Sequence, residues 1–216
     1  MEQTFNMIKT RDKVSMVKAD GTPIKKIFIG ANWNKSRFAG DADYDMDIQG
    51  FVHGSDHKIF GLRDIVNYKT FQDGSNYPWC QFSGDNRTGD DDTGSTFYGK
   101  HYDEFFIVDA DKFPADRNEF TIAISIYRAV QRMQNFGMVS NASITIFDYD
   151  NPDTVWNYPL TDNENFENLN AVEIGRLFRG SNGFRFEAIG SGYLGGMTEL
   201  FKNFGMNIDE GRDGED

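Results

Sequence analysis

Short runs of Ile, Val, Phe and Tyr, each bounded by Gly, Asn, Asp or Ser, recur from about residue 24 to residue 191 and limit the fold more than any other feature. Runs of this length with turn residues between them predict β-strands rather than long helices. We therefore expect a mainly all-β domain, most simply a sandwich. The predicted strands are 24–29, 44–51, 65–68, 77–82, 105–108, 120–127, 143–149, 154–160, 172–178 and 184–189.

Two short helices are expected beside the strands. Within 196–204 the apolar residues Met197, Leu200, Phe201 and Phe204 follow the i, i+3, i+4, i+7 spacing of an amphipathic helix. A second short helix is predicted at 129–136. The segment 207–216 carries five acids and one Arg with little apolar content, so we interpret it as a disordered acidic tail behind a single domain at 1–206.

The charge balance of the chain excludes some classes of function. Its 216 residues include 34 acids and 22 Lys and Arg, a formal net charge of -12, which argues against nucleic-acid binding and favours cations as ligands. Cys80 has no partner for an internal disulfide, and the first 13 residues lack the apolar core of a signal peptide. We expect a cytoplasmic protein with no direct membrane insertion, since no apolar run reaches about 18 residues.

Paired carboxylates occur in the predicted strand at 44–51. Because alternate side chains of a strand share a face, Asp45 and Asp47 should lie on one side, opposite Tyr44, Met46 and Ile48. Their Cα atoms would be ~6.6 Å apart, so the two carboxylates repel unless a cation lies between them. The alternative interpretation is a solvated strand face without a ligand.

A second group of oxygen ligands occurs in the loop 84–94, which has no apolar side chain and contains three consecutive acids at 90–92. Glycine-rich acidic loops can direct carboxylate, amide and carbonyl oxygens at one point, and Ca²⁺ takes 6–8 such ligands. The spacing is not that of an EF-hand. A flexible acidic loop without a metal is the alternative.

Four stretches of the chain occur in the order of one known family. They are 44–47 (Tyr-Asp-Met-Asp), 84–89 (Gly-Asp-Asn-Arg-Thr-Gly), 134–142 and 184–196. On these motifs the chain resembles the TerD family of tellurium-resistance and stress-response proteins. The resemblance implies a β-sandwich of two antiparallel-rich sheets that binds Ca²⁺, as one or two ions, near one edge.

The resemblance also implies a ligand set. Between Gly89 and Asp103 this chain carries about eight residues more than the family pattern, so the acids that follow Gly89 could replace displaced ligands. Arg128, where the family often has an acid, would lower cation affinity or pair with an acid. Asn67 and Asp73 are weaker candidates. The predicted ligands are Asp45, Asp47, Asp85, Asn86, Asp90, Asp92, Asp103 and Glu104.

Two functions follow from the resemblance. The first is a non-enzymatic, calcium-binding protein of the tellurite or chemical stress response, with ion-dependent protein partners such as other tellurium-resistance proteins. The second is a metal-stapled structural component of a large assembly, a virion or an envelope complex, with the extra residues as a docking element. In both, the partners are proteins rather than nucleic acid.

The remaining motifs have ordinary structural interpretations. The glycines of 190–195 match GxGxxG, but no βαβ unit follows them, so a tight turn into the last helix is preferred. His53 and His57 have metal-like spacing but are interpreted as surface residues of a hairpin. Cys80, Trp79 and Trp156 are interpreted as strand or core residues rather than as a nucleophile and sugar-stacking aromatics.

Overall fold

The computed structural model describes residues 4–34, 43–72, 77–89, 94–161 and 164–208. The helices in these ranges are α1 (Tyr68–Gln72), α2 (Ala129–Arg132) and α3 (Gly196–Asn203), with single 3₁₀ turns at Leu62–Asp64 and Phe136–Met138. The strands are β1 (Thr4–Met7), β2 (Lys13–Ser15), β3 (Lys26–Asn34), β4 (Met46–His53), β5 (Ile65–Val66), β6 (Cys80–Phe82), β7 (Ser95–Phe97), β8 (Lys100–Tyr102), β9 (Glu104–Asp109), β10 (Glu119–Ile126), β11 (Ser140–Asp148), β12 (Thr154–Pro159), β13 (Ala171–Gly180) and β14 (Gly183–Tyr193).

The strands form two six-stranded sheets and one separate hairpin. The first sheet has the order β1-β12-β11-β3-β9-β6, the second has the order β2-β14-β13-β10-β4-β5, and β7 pairs with β8. Within the described ranges β1 and β12 run parallel, and the other neighbouring strands, such as β3 with β11 and β4 with β10, run antiparallel. The predicted mainly all-β fold with antiparallel-rich sheets is confirmed.

The main core lies between the two sheets. Ile29 of β3 and Ile146 of β11 meet Ile48 of β4 and Ile124 of β10, and all four side chains are fully buried. Alternation along each strand supplies these residues, since every second side chain points to the same face. Burial of an aliphatic side chain contributes about 1.5–3 kcal/mol, so this layer supplies much of the stability.

Helix α3 covers the outer face of the second sheet. Its residue Phe201 and the following Phe204 pack on Phe51 of β4, and the rings of Phe51 and Phe204 stack at 4.2 Å. The apolar side of the helix that the 3.6-residue period predicts therefore packs on the second sheet. The helix agrees with the predicted 196–204 to within one residue.

The β7–β8 hairpin lies in the extra residues after Gly89 and covers the outer face of the first sheet. Phe97 contacts Phe28 edge to face at 4.9 Å, and Phe28 stacks on Phe147 at 4.3 Å. A side chain at Gly30 would meet the rings of Phe28 and Tyr102, so glycine keeps this face open for the hairpin. The described part of the extra segment thus packs on its own domain.

Several short elements differ from the sequence prediction. All ten predicted strands are present, whereas the sequence pattern does not predict β1, β2, β7 and β8, which are short segments without a run of apolar residues. Helix α2 ends at Arg132, not at 136, because Met133 adopts a left-handed conformation with φ 54°.

None of the helices in the described residues has the length and apolar character that a membrane span requires. The predicted tail at 207–216 falls almost entirely outside the described residues.

Candidate metal centre

The paired carboxylates lie where β4 begins, at one end of the sandwich. Tyr44, Met46 and Ile48 are buried in the main core, so Asp45 and Asp47 point to the opposite face, as the strand alternation predicts. Met46 pairs with Ile126 at the end of β10, so the β10–α2 connection lies at the same end of the sandwich. Asp47 is 2% exposed, which excludes the alternative of a solvated strand face at this position.

The loop that follows β6 brings a third carboxylate to the pair. Oxygen atoms of Asp45, Asp47 and Asp85 all lie within 4.8 Å of one another. Since Ca²⁺–oxygen distances are ~2.3–2.6 Å, two oxygens on one ion can be no more than about 5 Å apart. The three carboxylates therefore satisfy the spacing limit for sharing one ion, although they are separated by 40 residues of sequence.

Internal hydrogen bonds hold the 84–89 loop in shape. Asn86 Oδ1 accepts the backbone N–H groups of Thr88 and Gly89 at 3.1 and 3.0 Å, an Asx-type turn. Gly89 has φ 65°, and a Cβ there would meet the buried Trp33 indole at 2.3 Å. The motif's Asn and last Gly thus shape the loop, while Asp85 faces the cluster.

Two predicted ligands form a buried layer behind the pocket. Glu104 Oε2 accepts the Ile48 N–H at 2.8 Å, and its Oε1 accepts the Asn86 N–H at 3.1 Å, which ties β4 to the loop. Asp103 Oδ2 accepts the Trp33 N–H at 2.8 Å, and its Oδ1 accepts Asn86 Nδ2 at 3.1 Å. These contacts give both acids a bracing role; ligation by them stays a prediction.

The three carboxylates line a pocket of about 280 Å³. Arg87 Nε donates to Asp85 Oδ2 at 3.0 Å, although the Arg87 side chain is 71% exposed. Arg128, the arginine that the sequence suggested, does not line the pocket; Arg132, one helical turn further, does. The lining residues are Asp43, Asp45, Asp47, Tyr68, Asp85, Arg87, Thr88, Tyr127 and Arg132.

Burial and like charge raise several pKa values at this end of the sandwich. Burial, and then the Asp85 carboxylate, raise the pKa of Asp45 to about 6, although Arg132 and Arg87 oppose the shift. Burial, and then Asp47, raise the pKa of Glu104 well above its usual range. Burial followed by Asp47 raises the pKa of the Tyr68 phenol. Keeping these carboxylates ionised is therefore unfavourable, because they are buried and repel one another. A bound cation would remove this unfavourable free energy.

The donor set suits a hard dication. Carboxylate oxygens are the ligands that Ca²⁺ and Mg²⁺ prefer, and the pocket volume leaves room for waters to complete six to eight ligands. Mg²⁺ needs shorter distances and stricter octahedral placement, so a ligand set drawn from a strand and a separate loop favours Ca²⁺. Asp45, Asp47 and Asp85 would hold the ion.

Asn67 is the weaker ligand candidate that the structure describes. Asn67 is buried and donates to the Gln49 side chain at 2.8 Å, so its amide serves the β4–α1 packing. Asp73, Asp90 and Asp92 lie outside the described residues, so the structure does not place them. Sequence reasoning did not name Arg87 as a pocket residue, although its position two residues after Asp85 in the same motif was the available signal.

A second cluster joins His53, His57 and Glu119 at the opposite end of β4. His53 is fully buried, which corrects its interpretation as a surface residue. Its Nδ1 donates to the Gly54 carbonyl and its Nε2 accepts from the Thr121 hydroxyl, each at 2.7 Å. Arg176 donates to both His57 Nε2 and Glu119 Oε2, at 3.0 and 2.7 Å. The Arg176 guanidinium thus already bridges two of the three groups that a metal would need.

Three other sequence interpretations are resolved by burial. Cys80 is buried on β6, and burial raises the pKa of its thiol, so it is not an activated nucleophile. Trp79 and Trp156 are 5% and 8% exposed and belong to the core. Gly190 has φ 66° and packs against Thr10, which is a structural use of the glycine-rich stretch.

Comparison with known proteins decides the family. A family model described as the TerD domain matches residues 5–204. The chain belongs to the TerD family. The tellurium resistance protein TerD of Serratia marcescens is 32% identical over 196 residues, covering 90% of this chain and 94% of that protein. General stress protein 16U of Bacillus subtilis is 30% identical, covering 91% and 95%.

A solved structure supports the TerD fold. The crystal structure of a homologue of the telluride resistance protein TerD from Streptomyces coelicolor superposes with a TM-score of 0.57 at 15% identity, covering 79% of this chain and 90% of that chain. The span matched by the TerD model includes every residue that lines the pocket.

Proposed function

We propose that this TerD-family chain is a calcium-binding protein of the tellurite and chemical stress response, acting in the cytoplasm through ion-dependent contacts with its partners. The names of its relatives support the stress response. The observation that carries calcium binding is the convergence of the Asp45, Asp47 and Asp85 oxygens within 4.8 Å in a pocket. Carboxylate, guanidinium and phenol side chains dominate this lining, and the carboxylates are the groups that would contact the ion.

A thermal titration tests the ion. The full chain is treated with chelator, and its unfolding midpoint is followed as Ca²⁺ is added, with Mg²⁺ as the comparison. A ligand at 100 times its Kd adds about 2.7 kcal/mol, which for a chain of this size raises the midpoint by about 5–10 °C. We expect Ca²⁺ to give this shift and Mg²⁺ a smaller one.

A matched pair of double variants assigns the shift to the pocket. Asp45→Asn with Asp85→Asn should abolish the Ca²⁺ response and leave the chelated protein as stable as the wild type or more so, since repulsion and burial of charge are removed. Asp111→Asn with Asp116→Asn makes the same charge change on acids whose side chains are 64% and 77% exposed. The stabilisation by Ca²⁺ should survive in this control pair. An equal loss in both pairs, or no shift with millimolar Ca²⁺, contradicts the proposal.

The structural-assembly alternative has less support from the fold. It uses the extra residues after Gly89 as a docking element, but the described part of that segment folds as β7–β8 onto Phe28 and Phe105 of its own sheet. Native sizing of the protein from its source tests this directly, because a structural component would elute in a stoichiometric particle.

A further inference from the structure

The loop 54–61 leads from the end of β4 to the next 3₁₀ turn and lies at the end of the second sheet away from the pocket. Its residue Ile59 is buried in the apolar cluster of α3, and the Ile59 N–H donates to the Phe204 carbonyl at 3.1 Å. His57 of the same loop has φ 55°, a left-handed conformation that a residue with a side chain keeps only where its contacts hold it. The contact that the His57 side chain makes therefore helps to fix the loop.

The His57 side chain contacts a guanidinium. Arg176 Nη1 on β13 lies 3.0 Å from His57 Nε2, and a guanidinium carries N–H donors but no acceptor. His57 Nε2 is therefore the acceptor, so the ring is neutral and its hydrogen lies on Nδ1. A proton taken from solvent by Nε2 replaces this acceptor with a donor and sets a positive charge beside that of Arg176. The contact therefore breaks when His57 is protonated.

The acids beside Arg176 are already bonded to it. Its Nη1 also donates to Glu119 Oε2 at 2.7 Å, and its Nε and Nη2 donate to Glu187 Oε2 at 3.2 and 2.8 Å. A nitrogen of His57 and an oxygen of Glu119 lie within 4.8 Å of each other. A protonated His57 could therefore reach Glu119 only in competition with Arg176, and the two bonds to Glu187 hold the guanidinium in place.

Two other titratable groups close to His57 are buried. The His53 ring centroid lies 4.9 Å from that of His57, and burial lowers the pKa of His53, so positive charge is unfavourable here. Glu173 accepts the Tyr193 hydroxyl at 3.0 Å, and burial raises its pKa. The other charged side chains of this network and of the loop are Lys13 on β2, Glu119 on β10, Arg176 on β13, Glu187 on β14, Asp56 and Lys58 in the loop, and Asp64 and Arg117 beyond it. Their formal charges and that of Glu173 nearly cancel, so the close contact with Arg176 decides the response.

We propose that His57 makes the 54–61 loop an acid-sensitive switch, in which protonation of His57 Nε2 releases the loop from Arg176 and loosens the segment that ends α3. The Phe204 carbonyl then loses the Ile59 N–H, and the apolar cluster around Ile59 opens to solvent. Histidines whose protonation in mild acid moves an interface are a common type of switch. This switch lies at the opposite end of β4 from the pocket and does not depend on the proposed calcium binding.

Amide hydrogen exchange of the full chain, measured by NMR, tests the switch. Exchange is compared at about pH 7.5 and about pH 5.5 after correction for the intrinsic rates. It is measured in chelator and again with Ca²⁺, because burial raises the pKa of Asp45 in the pocket to about 6. The protonated fraction of an ordinary imidazole rises about tenfold over this range. We expect the amides of Ile59 and of 204–206 to exchange about tenfold faster at the lower pH in both conditions, while the amides of β10 and β13 keep their protection.

Three variants assign the response to one histidine. His57→Gln keeps a side-chain oxygen that can accept from Arg176 but takes up no proton, so the loop should stay protected in mild acid. His57→Lys sets a permanent positive charge beside Arg176 and should expose the Ile59 amide already at neutral pH. His101→Gln removes the third histidine of the chain, which lies on β8, and should respond to acid like the wild type.

Several results would overturn the switch. Unchanged protection of the Ile59 amide in acid does so, and so does greater protection, which would show that protonated His57 pairs with Glu119. A response that survives in His57→Gln belongs to His53 and overturns the role of His57. Loss of protection in β10 and β13 together with the loop would show global unfolding in place of a local switch. Failure of the chain to bind calcium overturns the proposed function and leaves this switch standing.

Discussion

The side-chain amide of Asn86 donates a 3.1 Å hydrogen bond to the buried carboxylate of Asp103, which also accepts the Trp33 N–H. The pair joins the 84–89 loop to the segment that enters β9. It therefore fixes the position from which Asp85 faces Asp45 and Asp47. The proposed ligand Asp85 and the bracing residue Asn86 are thus neighbours in the same motif, and stability measurements can separate their roles.

Asp103→Ala should destabilise the fold more than Asp85→Ala does. Removing the Asp103 carboxylate leaves the Trp33 N–H and the Asn86 amide without this buried acceptor, so the free energy of unfolding should fall by about 2–4 kcal/mol. Asp85 holds a partly exposed pair with Arg87, whose loss costs about 0–1 kcal/mol. Urea unfolding in chelator measures both. Equal losses would show that Asp85 also braces the loop.

Histidine 53 should make the protein less stable in mild acid. Burial lowers the pKa of His53 below its usual 6.5, so the unfolded chain takes up this proton at a higher pH than the folded chain. The free energy of unfolding should therefore fall as the pH drops through about 6.5, and the His53 contribution is complete only above that value. The His53→Gln variant should show a shallower fall between about pH 7.5 and pH 5.5. Parallel curves for the two proteins would contradict this origin.

The parts of the fold that followed from the sequence are those governed by local spacing. Alternation placed Asp45 and Asp47 on one face with Tyr44 and Met46 on the other, and the apolar period at 196–204 gave α3 its buried face. The convergence of Asp85 with Asp45 came from the family resemblance, because it depends on strand order across two sheets. Nothing in local spacing fixes that order.

The unpredicted parts depend on contacts distant in sequence. Glu104 joins the Ile48 backbone to the Asn86 backbone, and no pattern around residue 104 indicates either partner. The β7–β8 hairpin is formed by short segments whose stability comes from the aromatic face that they cover. Its local signal was the Tyr98-Gly99 turn, where both residues have positive φ.

Gly30→Ala should destabilise the protein because the first sheet has no room for a methyl group at this position. A Cβ would lie 2.5 Å from the rings of Phe28 and Tyr102, and overpacking of this kind costs about 1–3 kcal/mol. Gly61→Ala is the control, since a Cβ there meets nothing within 4 Å and the backbone is extended. It should change the stability by no more than about 0.5 kcal/mol. Thermal unfolding measures the stability of both variants, and equal stability would contradict the lack of room at Gly30.

Phe97→Ala should loosen the hairpin that the extra residues build. Phe97 makes edge contacts with Phe28 at 4.9 Å and Phe105 at 5.0 Å, and aromatic pairs contribute about 0.5–1.5 kcal/mol each beyond their buried area. We expect the free energy of unfolding to fall by about 1–3 kcal/mol. Amide hydrogen exchange should quicken in 95–102 before it does in β3.

Tyr98→Asn is the companion to this variant. The Tyr98 side chain is 55% exposed, and asparagine tolerates its φ of 51°. It should cost less than Phe97→Ala, mainly through the lost hydrogen bond to the Tyr149 carbonyl at 2.8 Å. If neither variant changes amide hydrogen exchange in 95–102, backbone hydrogen bonds alone hold the hairpin. The contacts of the Phe97 ring with the first sheet are then not needed. If exchange quickens only after Phe97→Ala, the extra segment is an integral layer of the sandwich.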